Sequence, residues 1–275
     1  MGRSYRTPVL SLMLLTAAVG HAVAASAPPV FSPTADTAWV GIGTGAFAAV
    51  PGWPVPVGQD PNHRYIPNGT PNAQPTHRIS DVSNPNLKQW AKDAMKKDND
   101  EVLAGKFAFT ARSSCVAAGV PGFLVLLAPG GLTILQEPSK VTMIVDGNAE
   151  TRHIPLNVSH AANVKPSWYG DSVGHYEGDT LVIDTIGLND KTFLDNYRTP
   201  HSDKLHVTER WRLIENGAKI EVLLSIDDPD TFNQPFKMLR QYERTNRTFA
   251  EFICAENNSA NIFDYGTPTA ERPDF

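Results

Sequence analysis

The hydrophobic period of the chain changes partway along. From about Leu132 to Cys254 apolar residues recur at every second position between turn signals, which is the period of half-buried strands. Val141, Met143 and Val145 alternate before Asp146-Gly147-Asn148, and Thr151 to Leu156 follow. Ser172 to Tyr176 run into Glu177-Gly178-Asp179 and then Thr180 to Leu188. Leu205 to Ile214, the turn Glu215-Asn216-Gly217, Lys219 to Ile226, Phe236 to Arg244, a turn at Asn246 and Thr248 to Ala255 complete the run. The pattern predicts about eight or nine antiparallel strands in chain order with no crossover helix. A meander of that length sheds its exposed edges by closing. The expected fold is therefore mainly β, an antiparallel up-and-down (lipocalin- or calycin-like) barrel, with a sandwich as the second choice.

Ahead of the strands, Leu87, Trp90, Ala91, Ala94 and Met95 are apolar at helical spacing. Asn84-Pro85-Asn86 precedes them, lysines lie on the other side and Gly105 stands beyond the end, so one amphipathic helix is expected. Between Ser26 and about Pro85 no period persists. Pro51-Gly52-Trp53-Pro54-Val55-Pro56 and Asn68-Gly69-Thr70-Pro71 are turn and extended signals, and predict an irregular segment wrapped over the core or partly disordered. The expected divisions are a leader over 1–24, the irregular segment over 25–85, the barrel with its leading helix over 86–258 and a tail over 259–275.

The leader reading rests on Arg3 and Arg6, an apolar stretch from Val9 to Val19, and Ala22-Val23-Ala24 as a small-residue cleavage site. It predicts export to the periplasm or beyond. The apolar stretch is shorter than the ~20 residues a membrane span needs. The 275 residues hold 24 Lys+Arg against 29 Asp+Glu, a net charge of -5, and loss of the leader removes two arginines and no acid. An acidic mature chain argues against a nucleic-acid partner, which clustered cations would recognise. Two cysteines, Cys115 and Cys254, are too few for a four-thiol zinc site. In an exported protein they are expected to pair, the alternative being two buried free thiols. The chain has no GxSxG elbow, P-loop, HExxH or dinucleotide glycine fingerprint, so neither cofactor nor metal is expected.

Strand parity points to the chemistry, because a charge on an otherwise apolar face is the informative residue. Glu209 shares a face with Leu205, Val207, Trp211 and Leu213. Arg240 lies with Phe236, Met238 and Tyr242, Glu251 with Phe249 and Ile253, and Asp184 with Val182, Ile186 and Leu188. If these faces point inward, the barrel holds three carboxylates and an arginine. They would form either an ion-paired plug in which Arg240 holds Glu209 or Glu251, or a cavity with a working acid or base.

Polar groups crowd the tract from His175 to Arg210. The catalytic candidates are His175, Asp184, His201, His206, Glu209 and Arg210, with His206 or His175 as base, a carboxylate orienting it, and Arg210 or Arg240 holding an anionic or enolic group. Trp168, Tyr169, Tyr176, Trp211 and Arg240 would line the substrate space in the barrel cavity. The loop from Asn189 to Lys204 should fold over one barrel end and bring His201 to the rim. The expected function is a small-molecule lyase or isomerase. A lipocalin-like binding protein for an apolar or aromatic ligand is the alternative, and an envelope interaction module a third.

Two stretches carry a resemblance: Gly174-His175-Tyr176-Glu177-Gly178-Asp179-Thr180-Leu181-Val182-Ile183-Asp184-Thr185-Ile186-Gly187-Leu188-Asn189-Asp190, and Pro200-His201-Ser202 with Leu205-His206-Val207-Thr208-Glu209-Arg210. With them the chain resembles a large family of uncharacterised secreted bacterial proteins, from about Leu87 to Asn258 and including Cys115 and Cys254. The resemblance implies export and a β-rich fold and supplies no reaction.

Overall fold

The computed structural model describes residues 1–2, 27–43, 46–63, 78–106, 110–111, 115–125, 131–145 and 150–246. The leader, the expected strand Thr248–Ala255 with Glu251 and Cys254, and the tail lie outside the described residues.

The alternating stretches form strands, and their hairpins fall where the backbone can reverse cheaply. Asn216 and Gly217 take φ of 55° and 82° between two long strands, a left-handed geometry that asparagine and glycine tolerate best. The strands are β1 (Ala38–Gly41), β2 (Ala48–Ala49), β3 (Leu132–Glu137), β4 (Lys140–Val145), β5 (Glu150–Pro155), β6 (Asp171–Glu177), β7 (Thr180–Ile186), β8 (His206–Ile214), β9 (Lys219–Asp227) and β10 (Phe236–Thr245). One helix, α1 (Gln89–Leu103), precedes β3.

All pairings between these strands are antiparallel, in the order β5-β4-β3-β1-β10-β9-β8-β7-β6, with β2 also on β10. Two meanders, β3 to β5 and β6 to β10, are joined by β1 slotted between β10 and β3. The sheet edges β5 and β6 then meet across a seam, leaving a nearly closed barrel. There the Asn157 amide donates to the Gly174 carbonyl at 2.8 Å, and Gln136 of β3 donates to the Tyr176 hydroxyl of β6 at 2.9 Å. A side chain at Gly174 would sit tightly against Ile154 and Leu156, at 3.0 and 3.1 Å from its first carbon, so glycine lets the seam close without displacing them.

β1 and β2 fall in the segment expected to be irregular. They form because Trp39 is fully buried and β10 offers partners to all four β1 residues, from Ala38 opposite Thr245 to Gly41 opposite Tyr242. The helix appears where expected, with Ala91, Met95, Asn99 and Val102 buried. Trp90 instead turns outward and donates its indole N–H to the Asp230 carbonyl at 2.7 Å.

The described residues pack a continuous core inside the barrel. Trp39, Trp211, Tyr242, Phe31, Phe123 and Met143 are fully buried within one continuous core. The stretch Ala118–Val125 is buried there as well: Phe123 and Leu124 enter the core, and the Tyr242 hydroxyl donates to the Leu124 carbonyl at 2.8 Å. Leu87, Ala91 and Met95 bring α1 onto this core. The 189–204 loop reaches α1 and the stretch before it, with the Ser80 hydroxyl on the Tyr197 carbonyl and Arg198 facing Asp98.

Candidate functional site

Cross-strand register sorts the candidate residues into an inner and an outer set. On β7, Leu181, Ile183 and Thr185 are fully buried, and they sit opposite Trp211, Glu209 and Val207 of β8. Asp184 therefore faces outward opposite Thr208, which corrects the expectation that its face points into the barrel. Parity placed Asp184 with apolar neighbours, but the other face of β7 is equally apolar, and pairing with β8 decides between them.

Inside, Glu209 is held by a different arginine from the one expected. Arg152 Nη2 lies 2.7 Å from Glu209 Oε1, an approach too oblique for a hydrogen bond, and also donates to Thr185 Oγ1 at 2.8 Å and Ser172 Oγ at 3.0 Å. The Trp211 indole donates to Glu209 Oε2 at 3.0 Å, and the Arg152 guanidinium lies over the Phe123 ring, 5.1 Å from its centre. Two buried charges with this many partners form a structural brace across the interior. Arg240 points elsewhere. Its Nη1 donates to the Ile42 carbonyl at 2.6 Å, and its guanidinium fills the space a side chain at Gly41 would need.

The aromatic candidates do not share one cavity. Trp211 stacks on Tyr242 in the core, with ring centres 6.2 Å apart. Tyr176 closes the seam with Gln136, and Tyr169 meets Phe123 edge-on while its hydroxyl contacts Glu150. Burial, with the Glu150 carboxylate beside it, raises the Tyr169 hydroxyl well above its ordinary pKa. Trp168 is half-buried in the connection leading to β6.

His201 is buried within the 189–204 loop. Its Nδ1 lies 2.9 Å from the Ser202 carbonyl, which can only accept, so Nδ1 carries the proton. Nε2 then accepts from the Thr192 hydroxyl at 2.7 Å. Burial lowers its pKa and keeps it neutral. With both nitrogens committed, this imidazole fastens the loop.

The outer face carries the titratable groups that reach solvent. At one end of β6 to β8, Asp184 Oδ1 lies 2.7 Å from His206 Nε2 and accepts from Thr208 Oγ1 at 3.1 Å. Its Oδ2 lies 2.9 Å from Nε2 of His160, whose Nδ1 is 3.1 Å from Asp171 Oδ2. Asp171, His160, Asp184 and His206 thus form one chain of hydrogen bonds. Burial by itself would raise the Asp184 carboxyl; the hydrogen bonds from His160 and His206 outweigh it and hold the carboxyl below its ordinary range. Asp184 is therefore ionised at neutral pH.

His206 is 44% exposed, and its Nδ1 has no partner among the described residues. At the other end of these strands, Glu177 accepts from Arg210 at 2.8 Å and lies 3.1 Å from His175 Nε2, all three exposed. The six catalytic candidates thus fall into four places: an outer dyad (Asp184, His206), two outer partners of Glu177 (His175, Arg210), a core brace (Glu209) and a loop pin (His201). Parity overlooked Arg152, although the rule that found Glu209 also finds a charge beside Ile154. His160 sits in a connection without period, where no pattern could single it out.

Among the described residues no group of three or more His, Cys, Asp or Glu side chains is placed to hold a metal ion, and no helix is long and apolar enough to cross a membrane. No protein-family model matches the chain, and no curated protein matches it.

Proposed function

We propose that the chain is an exported enzyme that moves a proton on a small molecule at the outer face of its barrel, a reaction of the lyase or isomerase kind. The observation that carries this reading is the His206–Asp184 dyad. An ionised carboxylate at 2.7 Å fixes Nε2 as the protonated nitrogen, so the lone pair of the half-exposed imidazole lies on Nδ1. A carboxylate that orients a histidine and stabilises its charged form is the arrangement general bases use. Asp184 is itself positioned by His160 on its other oxygen, Oδ2, and by Thr208, which shares Oδ1 with His206. Arg210 of β8 is held by Glu177 of β6 at the other end of these strands, four residues from His206, and stands apart from the dyad.

The test is proton exchange. A panel of small carbonyl and hydroxy acids is incubated with the protein in heavy water and followed by proton NMR. Carbon-bound hydrogen exchange or turnover should fall by about 10²-fold or more in His206→Ala, fall in Asp184→Asn, and persist in His175→Ala. Full activity in His206→Ala overturns the reading. A small-ligand binding protein is the second reading and the barrel fold supports it; the packed interior gives such a ligand the outer face or the barrel ends. Export is supported by the leader-like first residues, and in an exported chain a Cys115–Cys254 disulfide is expected.

A further inference from the structure

We propose that His160 is a protonation-operated clasp: as an imidazolium it holds the connection between β5 and β6 against the outer face of the barrel beside the seam, and on losing its proton it releases that stretch. The geometry is specific. Both ring nitrogens lie within 3.1 Å of carboxylate oxygens, Asp171 on β6 and Asp184 on β7. An ionised carboxylate can only accept, and a neutral imidazole has a single N–H. A neutral ring would therefore set one nitrogen lone pair against an oxygen lone pair, whereas the imidazolium donates to both sides.

The charged and titratable groups packed around this ring point the same way. Asp171 of β6 also accepts from the Ala161 amide at 2.9 Å, and Asp184 of β7 is shared with His206 and Thr208 of β8. Burial of His160 opposes its charge; hydrogen bonds and attraction from Asp184 and Asp171 outweigh burial and raise its pKa above the ordinary 6.5. A raised folded-state pKa means that the stabilising contribution is complete below about 6.5 and is lost as pH rises through the folded value.

What the clasp holds is otherwise weakly held. The connection is tied at its start by Leu156 and Asn157, through the Ser139 and Gly174 carbonyls, and at its end by Ser167 on Gly187. Val164 also packs against Gly187. Between these ties Val158, Ser159, Ala161, Ala162 and Asn163 are exposed, and the hydrogen bonds found there among the described residues are those of His160 and the Ala161 amide. Such a stretch contributes no core, so its attachment follows the charge of one ring. The inference does not depend on His206 acting as a base.

Hydrogen exchange on the full chain tests it, with rates corrected for their intrinsic pH dependence. The Ala161 amide, which donates to Asp171, should exchange about tenfold faster near pH 9 than near pH 6, relative to the amides of β7. The midpoint should match the His160 imidazole titration seen by NMR. His160→Gln carries one donor group, its NH2, and one acceptor oxygen, so like the neutral ring it cannot donate to both carboxylates, and exchange should be fast and flat with pH. Asp171→Asn leaves a neutral ring satisfied and should move the midpoint down, which keeps the proposal testable if His160→Gln fails to fold. His206→Ala should keep the response, separating the clasp from proton transfer. A flat profile in the unmodified protein, or a pH response that survives in His160→Gln, overturns the proposal.

Discussion

Two charged clusters stand back to back on β7 and β8. Neighbouring residues serve opposite sides: Asp184 faces solvent and Thr185 the core, Thr208 faces solvent and Glu209 the core. The inner cluster pairs Arg152 with Glu209 under full burial, and the outer one links Asp171, His160, Asp184 and His206 at partial exposure. The residue types are similar, and dielectric surroundings separate them. Inside, a change of charge leaves a partner stranded in a medium that cannot solvate it. Outside, water takes up the difference, so protons can come and go.

The largest effect should come from breaking the inner pair alone. Arg152→Ala is expected to cost about 3–5 kcal/mol, because Glu209 stays behind as an unpaired buried charge. Urea unfolding measures this, and the double replacement Arg152→Met with Glu209→Gln should recover most of the loss. A mild single variant would show that the pair is not a brace. Next comes the proposed disulfide between Cys115, at the start of the stretch that carries Phe123 to Arg152, and Cys254. Among the described residues no cysteine is a free thiol, and Cys254 lies outside them. A Cys115–Cys254 disulfide should contribute about 2–4 kcal/mol, and thiol counting under denaturation without reductant should find none free.

On the outer side the stability effects shrink. His206→Ala should change unfolding free energy by no more than about 0.5–1 kcal/mol while removing proton transfer, the reverse of the Arg152 result. Smallest of all, Arg210→Ala breaks an exposed pair with Glu177 and should leave the melting temperature unchanged within error. A marked loss there would place Arg210 with the structural set.

The strands from β4 to β10 were legible because alternation is a local property, written in each stretch by itself. β1 was not: four residues between turn-forming neighbours carry no period, and Trp39 becomes a strand residue through β10, far along the chain. The candidate site was legible in part for the same reason. Parity states which residues share a face, so Glu209 was correctly grouped with Trp211 and Val207. It cannot state which face is inside when both are apolar, and so Asp184 was misplaced. His160 reaches Asp171 and Asp184 only through the barrel seam, a relation between elements that one stretch of sequence does not hold.

The slot that β1 occupies also sets an order of events. Ala38 pairs with Thr245, more than two hundred residues further along the chain, and Trp39 meets Leu132 on the other side. Contacts so distant along the chain form slowly, because a long loop must close before anything is gained. The two meanders can each assemble from neighbours, but the ring joins only when β1 seats between them. Until then the edges of β3 and β10 that β1 covers are available to any other extended chain, which makes this the most adhesive stage of folding.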